Sequence, residues 1–568
     1  MLFAPRQKKL QDSESDRMII GLDVGGTHTD VILLDGRKLV REVKIATDPD
    51  NLFQTLLLGL STIIEGIDPE TIRRAVLSTT LATNLVAQKK LPDVGMIVAS
   101  GPGIDPRHFR TNDFYYTVDG ALDHRGREIK PLNNEQLQSI GRKLKLQGIR
   151  YAGVVSKFSV RNPEHEEKMS EILQPYVERV FMGHQFSGSL NFPRRIATTY
   201  LNCVVYPVHK KFFKAVQDAL AQKGLNVPIR ILRPDGGNMN IESSVDHPAQ
   251  TILSGPSASV MGTISSAPSQ GTCLVLDIGG TTTDMAVLID KAPLLAPLGI
   301  EISHYKTLIR ALHTQSIAIG GDSTVRVREG RLAIGPDRTG MAMAYGGPVP
   351  TPTDAFYVLG KGGSGDEAKS RAGLEPVALS LGLTLDQTAK LIFETACRTI
   401  LESAAEMIDN INSKPVYTVH ELWRGKRIRL DHLLILGGPA PQFASQLQTM
   451  FEGKVQVVPN HQVANAIGCA LARTTCEITL FVDTAQGLAT ASGESFDRNI
   501  SSNFSLDDAR KLADELLRKK AVIRGANPVD LETEILEESQ FNMIRGFHTI
   551  GKNIRVRMQL KPGLIKER

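Results

Sequence analysis

LDVGGTHTD at residues 22–30 and LDIGGTTTD at residues 276–284 are two copies of one nine-residue motif. Seven of the nine letters agree, and the copies lie 254 positions apart (277 minus 23). Such internal similarity within one chain indicates a duplicated structural unit. The motif therefore predicts two halves of related fold.

Each copy has the pattern of a β-hairpin with a glycine-rich turn. An apolar run ends at an aspartate, two glycines follow, and a second apolar run begins after the threonines. Glycine has no Cβ, so backbone N–H groups at such a turn can approach an anion closely. We expect these turns to bind the phosphates of ATP, through Gly25, Gly26, Thr27, His28 and Thr29 in the first copy and Gly279, Gly280, Thr281, Thr282 and Thr283 in the second.

An ordinary glycine-rich hairpin turn is the alternative interpretation, and it would be hard to dismiss for one copy. Two copies with aspartate, glycines and threonines in register favour phosphate binding. The motif is neither a dinucleotide-binding GxGxxG nor a Walker A loop, because its turn leads into a strand and no GK[ST] follows.

Asp23 and Asp277 end the first strand of each copy and would face the bound phosphates. A carboxylate beside phosphate repels it, so a cation should lie between them, and Mg²⁺ favours oxygen ligands. We therefore expect both aspartates to hold Mg²⁺ and to act in catalysis, with Asp277 as the best candidate for a general base. Threonine hydroxyls of the two turns, at Thr27, Thr29, Thr281 and Thr283, would donate to phosphate oxygens.

At these residues the chain resembles the actin, sugar kinase and heat-shock ATPase superfamily. That fold uses two such hairpins and a later Gly-Gly that binds adenosine, which LLILGGPAPQF supplies here at Gly437 and Gly438. The resemblance implies an α/β fold of two actin-like (ribonuclease H-like) lobes with the ATP cleft between them. A charged amphipathic helix and the alternating IRVRMQL segment near the end predict a small additional α+β domain.

Four segments follow from this pattern. We predict a polar N-terminal segment at residues 1–17, a first lobe at 18–195, a second lobe at 196–478 and the C-terminal domain at 479–568.

A closer resemblance is to the hydantoinase A/5-oxoprolinase family. It implies that ATP is used to open a cyclic amide such as 5-oxoproline or a hydantoin, that a hydantoinase B-like partner subunit is possible, and that the protein forms an oligomer. Related members are subunits of ATP-dependent ketone carboxylases. The matching segments occur in the family's order: GLDVGGTHTDVIL, LSTTLATN (77–84), SVRNPEHE (159–166), RIATTYLNCVV (195–205), DGGNMNIESSVDHPAQTILSGPSASVMG (235–262), LDIGGTTTDMAVL and ANAIGCALA (464–472).

Two stretches depart from the family pattern. The family's HTVGAGGGS falls on QSIAIGGDS (315–323), so Asp322 replaces a glycine, and SGPAGG becomes SGPSAS, so Ser259 replaces another. We expect both altered stretches to lie on the side of the site that binds the substrate. A second divalent metal bound by His313 and Asp322 is conceivable, because histidine and carboxylate suit Zn²⁺ or Mn²⁺. Surface or hydrogen-bonded side chains are the alternative.

Three further features of the sequence bear on the site or on the protein surface. Arg194-Arg195 could bind a substrate carboxylate bidentately or lie on a solvated helix face. The charged helix at residues 164–172 predicts a solvated surface. Asn84, in LSTTLATN, could line the cleft.

Composition excludes several other classes of protein. The net charge is +5 in 568 residues and the basic residues are dispersed, so we expect no nucleic-acid partner. No apolar run reaches the ~18 residues that span a bilayer, which predicts no membrane segment. Five cysteines without CxxC spacing and a polar N-terminus are typical of a cytoplasmic protein.

Three functions remain open from the sequence. The first is an ATP-dependent hydrolase that opens a cyclic amide, alone or as one subunit, acting on a small-molecule substrate. The second is a subunit of an ATP-dependent ketone carboxylase. The third is an ATP-driven activator or chaperone-like module.

Overall fold

A computed structural model describes residues 18–26, 28–48, 50–413, 427–491 and 496–566 of the chain. The polar segment predicted at residues 1–17 therefore lies outside the described residues, as does Thr27 of the first glycine-rich turn.

Strands and helices alternate through the first 240 residues, as the pattern of apolar runs predicts. The elements are β1 Met18–Val24, β2 His28–Asp35, β3 Lys38–Ala46, α1 Leu52–Ile63, β4 Ile72–Thr79, α2 Leu81–Ala87, β5 Gly95–Ala99, β6 Tyr115–Thr117, β7 Ala121–Leu122, β8 Glu128–Lys130, α3 Asn134–Leu146, β9 Tyr151–Ser156, α4 Glu164–Leu173, β10 Arg179–Met182, α5 Phe192–Gln222, β11 Ile229–Leu232 and β12 Asn238–Asn240.

The remainder of the chain adds a second α/β unit and then an antiparallel sheet. Its elements are α6 Ile241–Asp246, α7 Ser254–Thr263, β13 Thr272–Ile278, β14 Thr283–Ile289, β15 Ala292–Pro293, β16 Glu301–Ile302, β17 Tyr305–Lys306, β18 Thr314–Ile317, β19 Val325–Arg328, β20 Arg331–Ile334, α8 Pro352–Val358, α9 Glu367–Leu381, α10 Leu385–Ser413, β21 His432–Leu436, α11 Ala440–Met450, β22 Lys454–Val457, α12 Ala464–Leu471, β23 Glu477–Asp483, β24 Leu488–Ala491, β25 Phe496–Asn499, α13 Leu506–Ile523, β26 Thr533–Arg545 and β27 His548–Leu560.

Two of the sheets share one topology, and each contains one copy of the repeated motif. In the first, the β1–β2 hairpin pairs through β1 with β4, and β4 with β11, both in parallel. In the other, the β13–β14 hairpin pairs through β13 with β21, and β21 with β22, again in parallel. The duplication predicted from nine residues therefore extends to whole sheets, and the predicted α/β class is confirmed.

Helices α7 and α12 lie between these two sheets. One hydrophobic cluster contains residues from β1 and β4 of the first sheet, from β13 and β21 of the other, and from both helices. The two copies of the motif are thus joined through a shared core.

Two smaller sheets complete the fold. Strands β10, β9, β5 and β6 form a parallel sheet in that order. Strands β25, β24, β23, β27 and β26 form an antiparallel sheet against which α13 packs. This agrees with the alternation in the C-terminal sequence. None of the described helices is long and apolar enough to cross a membrane.

The first sheet uses chain from beyond residue 195. Strands β11 and β12, at residues 229–240, extend it through β4. Helix α5 runs across residue 195 without interruption, so the predicted boundary at 195/196 does not coincide with the end of this sheet.

Pro207 does not break helix α5, although proline in a helix interior normally does. Helix α5 continues from Phe192 to Gln222 with Pro207 inside it. Proline removes one backbone N–H, but Tyr206 and His209 on either side are buried. Packing therefore compensates for the lost hydrogen bond.

The charged helix α4 is not wholly solvated, contrary to expectation. Glu166 is fully buried, and its carboxylate accepts hydrogen bonds from the Ser156 amide at 2.8 Å and from the His184 ring at 2.7 Å. Arg195 is also fully buried, with a nitrogen 3.8 Å from the same carboxylate. Burial acts to raise the pKa of Glu166, but the His184 hydrogen bond and the Arg195 charge outweigh it and lower the pKa. Arg195 thus has an internal partner.

The crossing of α7 and α12 depends on two glycines. A Cβ on Gly468 would lie 2.2 Å from the Gly262 nitrogen and 2.4 Å from the Ala258 oxygen. A Cβ on Gly262 would lie 2.2 Å from the Ala464 oxygen. Only glycine lets these backbones approach so closely.

We expect Gly468→Ala to lower the free energy of unfolding by about 1–3 kcal/mol, because the added methyl group must push two helices apart. Denaturant unfolding of both proteins measures the difference. Gly363→Ala is the matched control, since the nearest atom to its added Cβ lies 3.8 Å away. Equal loss in the two variants would contradict the close-packing explanation.

Candidate functional site

The first glycine-rich turn closes the β1–β2 hairpin. The Gly25 amide donates to the His28 carbonyl at 3.0 Å, and a Cβ on Gly25 would lie 2.8 Å from that oxygen. Asp23 and Asp30 face each other across the two strands. Asn84, from the start of α2, reaches this turn, because its amide nitrogen lies 3.4 Å from a Cβ built on Gly26.

The second turn repeats this geometry on the β13–β14 hairpin. The Gly279 amide donates to the Thr282 carbonyl at 2.9 Å, and Asp277 lies opposite Asp284. The two motifs therefore agree in strand register and in the hydrogen bond that closes the turn.

Asp23 and Asp277 are each held by a serine hydroxyl. Ser78, at the end of β4, donates to Asp23 at 2.6 Å, and Ser259, on α7, donates to Asp277 at 2.5 Å. Asn465 on α12 donates to Asp277 at 3.3 Å and also interacts with Asp23. One amide side chain thus connects the acidic residues of the two repeats.

Both aspartates resist ionisation. Burial raises the pKa of Asp23 to about 6; the Ser78 hydrogen bond opposes this, and the charges of Asp30 and Asp277 reinforce it. Burial likewise raises the pKa of Asp277, against the hydrogen bonds from Ser259 and Asn465. Asn465 interacts with both carboxylates, and the charge of Asp277 acts on Asp23, so the acids of the two repeats lie in one region of the molecule.

A second pair of carboxylates lies on the return strands. Burial and the charge of Asp277 raise the pKa of Asp284 to about 6. Burial also raises the pKa of Asp30, although Lys44 on β3 lies 2.5 Å from its carboxylate and lowers it. Lys44 also acts electrostatically on Asp277, so it contributes positive charge to the site.

Gly437 contacts the strand that bears Asp277. Its φ is +98°, and a Cβ there would lie 2.1 Å from the Ile278 carbonyl oxygen and 3.0 Å from an Asp277 carboxylate oxygen. A Cβ on Gly438 would meet nothing within 4 Å. The Gly-Gly pair therefore ends β21 beside the second motif, with open space at Gly438.

The stretch that departs from the family pattern packs on the second turn. The amides of Gly321 and Asp322 donate to the carbonyls of Gly279 and Gly280 at 2.9 and 2.7 Å. Its backbone covers the glycine-rich turn, because Gly320 has no Cβ to collide with the Gly279 and Gly280 oxygens at 2.6 Å. The expected position of this stretch on the substrate side stays a prediction.

Arg338 adds a positive charge at the same turn. Its guanidinium lies 2.9 Å from the Asp322 carboxylate and donates to the Thr281 hydroxyl at 3.3 Å. Burial raises the pKa of Asp322, and the Arg338 charge acts against that rise.

The predicted threonine donors differ in their surroundings. Thr283 is buried and its hydroxyl donates to the Ile319 carbonyl at 2.7 Å, so the predicted donation to phosphate is wrong for this residue. Thr29 is buried and shares a 2.9 Å hydrogen bond with Thr47. Thr281 is exposed at the turn, and Thr282 is half-buried.

The suggested second metal site gains no support. Asp322 is paired with Arg338, whose charge competes with a cation. Among the described residues, no group of three or more His, Cys, Asp or Glu side chains could hold a metal ion.

Mg²⁺ has different requirements, and the residues present fit it. It binds through one or two carboxylates and completes its shell with water and phosphate oxygens. Asp23 and Asp277 are two carboxylates whose pKa is raised mainly by burial, so a divalent cation held by them would offset the cost of their ionisation.

Several residues of this site were not identified from the sequence, because they come from distant segments or replace family glycines. Three of them had a sequence signal, since Ser78 lies in LSTTLATN, Ser259 in the altered SGPSAS and Asn465 in ANAIGCALA. The residues are Lys44, Ser78, Ser259, Arg338 and Asn465.

Curated relatives cover much of the chain. A protein of uncharacterized function from Methanocaldococcus jannaschii is 26% identical over 80% of this chain and 72% of its own length. The acetophenone carboxylase gamma subunit of Aromatoleum aromaticum is 28% identical over 66% of this chain and 58% of its own. The caprolactamase subunit alpha of Pseudomonas jessenii is 23% identical over 81% of this chain and 70% of its own.

Two solved structures share the fold. A nucleotide-free acetone carboxylase structure superimposes with a TM-score of 0.71 at 18% identity and covers 96% of this chain and 88% of that one. The ATP-dependent caprolactamase of Pseudomonas jessenii gives a TM-score of 0.67 at 18% identity, covering 97% and 89%.

Sequence models of the family match most of the chain. The N-terminal region of hydantoinase/oxoprolinase matches residues 19–177, and the hydantoinase/oxoprolinase domain matches residues 195–478. Together with the duplicated turns and their facing aspartates, these matches show that the chain belongs to the hydantoinase/oxoprolinase family.

Proposed function

We propose that this protein binds Mg²⁺-ATP between two actin-like lobes and uses it to open a cyclic amide. The observation that carries the proposal is the matching position of Asp23 and Asp277 in the two copies of one glycine-rich hairpin, where each accepts a hydrogen bond from a serine and Asn465 interacts with both. Gly25-Gly26 and Gly279-Gly280 would bind the phosphates from two sides, and Gly437-Gly438 the adenosine.

The reaction needs activation of an unreactive carbonyl. The amide oxygen attacks the γ-phosphorus and ADP leaves, which makes the former amide carbon more electrophilic. Water adds to that carbon, the ring C–N bond breaks, and a second water releases the phosphate. In phosphoryl transfer, protein groups act mainly by positioning and by neutralising charge.

The residues of the site have complementary roles in this scheme. Ser78, Ser259 and Asn465 orient the two carboxylates. Lys44 and Arg338 supply positive charge near the two turns. Mg²⁺, when bound, would neutralise phosphate charge beside Asp23 and Asp277, and Asp277 is the candidate to accept a proton from water.

A subunit of an ATP-dependent ketone carboxylase is the second candidate. It is supported by the 28% identity to the acetophenone carboxylase gamma subunit and by the shared fold with acetone carboxylase. Both candidates use the same nucleotide site and differ in the molecule that receives the phosphoryl group.

We further propose that the chain acts with a second, hydantoinase B-like subunit in an oligomer. Two of the relatives named above are subunits designated gamma and alpha, and the chain spans only 58% of the length of the acetophenone carboxylase gamma subunit.

ADP release measured over a panel of lactams, hydantoins and ketones tests the function. The amide-opening proposal predicts Mg²⁺-dependent ATP turnover that a lactam or hydantoin stimulates. Stimulation only by a ketone with bicarbonate and a partner chain would establish the carboxylase instead. Turnover that responds to a protein alone would indicate the ATP-driven activator, and no response to any small molecule would remove the support for amide opening.

Asp23→Asn and Asp277→Asn should each reduce Mg²⁺-dependent ATP turnover by more than about 100-fold, because both positions lose a carboxylate that holds the cation. Steady-state ADP release at saturating ATP measures this. Asp113→Asn, with its side chain 96% exposed, is the control and should retain full activity. Retained turnover in both site variants would reject the arrangement.

The raised pKa of Asp23 makes a second prediction, about stability. Without ligand, the folded wild-type protein binds a proton at Asp23 up to about pH 6, whereas the unfolded chain loses it near 3.8. Stability conferred by the neutral form is therefore lost as pH rises from about 4 to 6. Asp23→Asn should exceed the wild type by up to about 3 kcal/mol at pH 7.5 and match it at pH 4.

Denaturant unfolding of the nucleotide-free proteins at the two pH values checks this. A variant less stable than the wild type at pH 7.5 would show that Asp23 serves the fold and not a ligand.

A further inference from the structure

The hairpin of β26 and β27 extends beyond the C-terminal sheet. Strand β23, the neighbour of β27 on the other side, pairs with β27 only over Asn553–Gln559. Residues 484–485, which follow β23, contact β27 at Lys552 and Gly551 and no further toward the turn. Residues 541–550, which we call the arm, pair only within the β26–β27 hairpin among the described residues.

The arm exposes large apolar side chains. Phe541 is 67% exposed, Ile544 68%, Phe547 102% and Ile550 46%. A two-stranded ribbon without a third strand or a helix to cover it is marginally stable in water. An apolar ribbon of this kind indicates a surface that another molecule covers.

The outer edge of β26 changes character along its length. Its first half carries Glu534, Glu537 and Glu538; Glu537 pairs with Arg555 at 2.7 Å and Glu538 with Arg510 at 2.8 Å. Charged side chains on an edge strand oppose pairing with other chains. From Ser539 to Ile544 the edge has no charged residue, so this protection ends where the arm begins.

The arm and the three residues that follow it carry positive charge only. Arg545, His548 and Lys552 are the ionisable residues between positions 541 and 553, and no Asp or Glu occurs there. A second copy of the arm is therefore a poor electrostatic complement. A groove with an apolar floor and a rim of carboxylates fits both its side chains and its charge.

We propose that the arm inserts into an apolar, acid-rimmed groove of the second subunit, with the free edge of β26 adding to a strand of that subunit. This inference rests on the partner subunit of the proposed function, and it assigns that subunit's contact to residues 541–550.

Mixing the full-length chain with the hydantoinase B-type chain of the same organism tests the proposal. Light scattering after gel filtration gives the mass of the complex, and titration calorimetry gives Kd. We expect a heteromeric complex for the wild type, and a Kd raised at least tenfold for Phe541→Ser/Ile544→Ser/Phe547→Ser. Leu146→Ser, at an 87% exposed leucine on α3, is the matched control and should bind like the wild type.

Charge reversal tests how much the positive charge of the arm contributes to binding of the second subunit. Arg545→Glu/Lys552→Glu should weaken binding, and added salt should weaken the wild type more than this variant. Phe547→Ser alone, at a fully exposed turn residue, provides a second variant if the triple substitution disturbs folding.

Other outcomes would overturn the proposal. These are no complex with the wild type, equal binding by the arm variants, an effect on self-association alone, or an effect only on binding to phosphatidylglycerol vesicles. Nucleotide binding by the isolated chain is measured alongside: its loss would reject the ATP site while leaving the arm's role intact.

Discussion

The withdrawal of two aspartates, Asp23 and Asp277, from water is the constraint on which the rest of the site depends. Two copies of one hairpin place Asp23, which is buried, and Asp277, which is half-buried, where each resists ionisation. Burying like charges is costly unless a cation or hydrogen-bond donors compensate. Ser78, Ser259 and Asn465 provide donors, and they come from three different segments. The fold thus places hydrogen-bond donors beside the two aspartates whose ionisation the protein interior disfavours.

The helices between the two sheets have a role beyond packing. Ser259 lies on α7 and Asn465 on α12, and these helices cross at Gly262 and Gly468 with no space for a Cβ. Side chains on such closely apposed backbones have little freedom to shift. Their positions relative to the two aspartates are therefore set by the shared core.

Local patterns predicted much of this fold because they depend on neighbouring residues. Both hairpins follow from short-range rules, because the apolar runs and the glycines of each motif are adjacent in the sequence. Long-range partners were not predictable. Asn465 meets a carboxylate 188 positions away, and the charged residue Glu166 is buried because His184 and Arg195 surround it. The contacts of the altered 315–323 stretch with the second turn are also tertiary, so the sequence does not reveal them.

The uninterrupted helix α5 restricts how this protein can move. Its 31 residues pack against α1 beside the first sheet, and residues along it belong to the hydrophobic cluster that includes β5 and β9 of the parallel sheet. Because one continuous helix packs against both the first sheet and the parallel sheet, these two sheets cannot move independently at residue 195. A closure around a nucleotide would therefore move the two sheets together, with its hinge at another point of the chain.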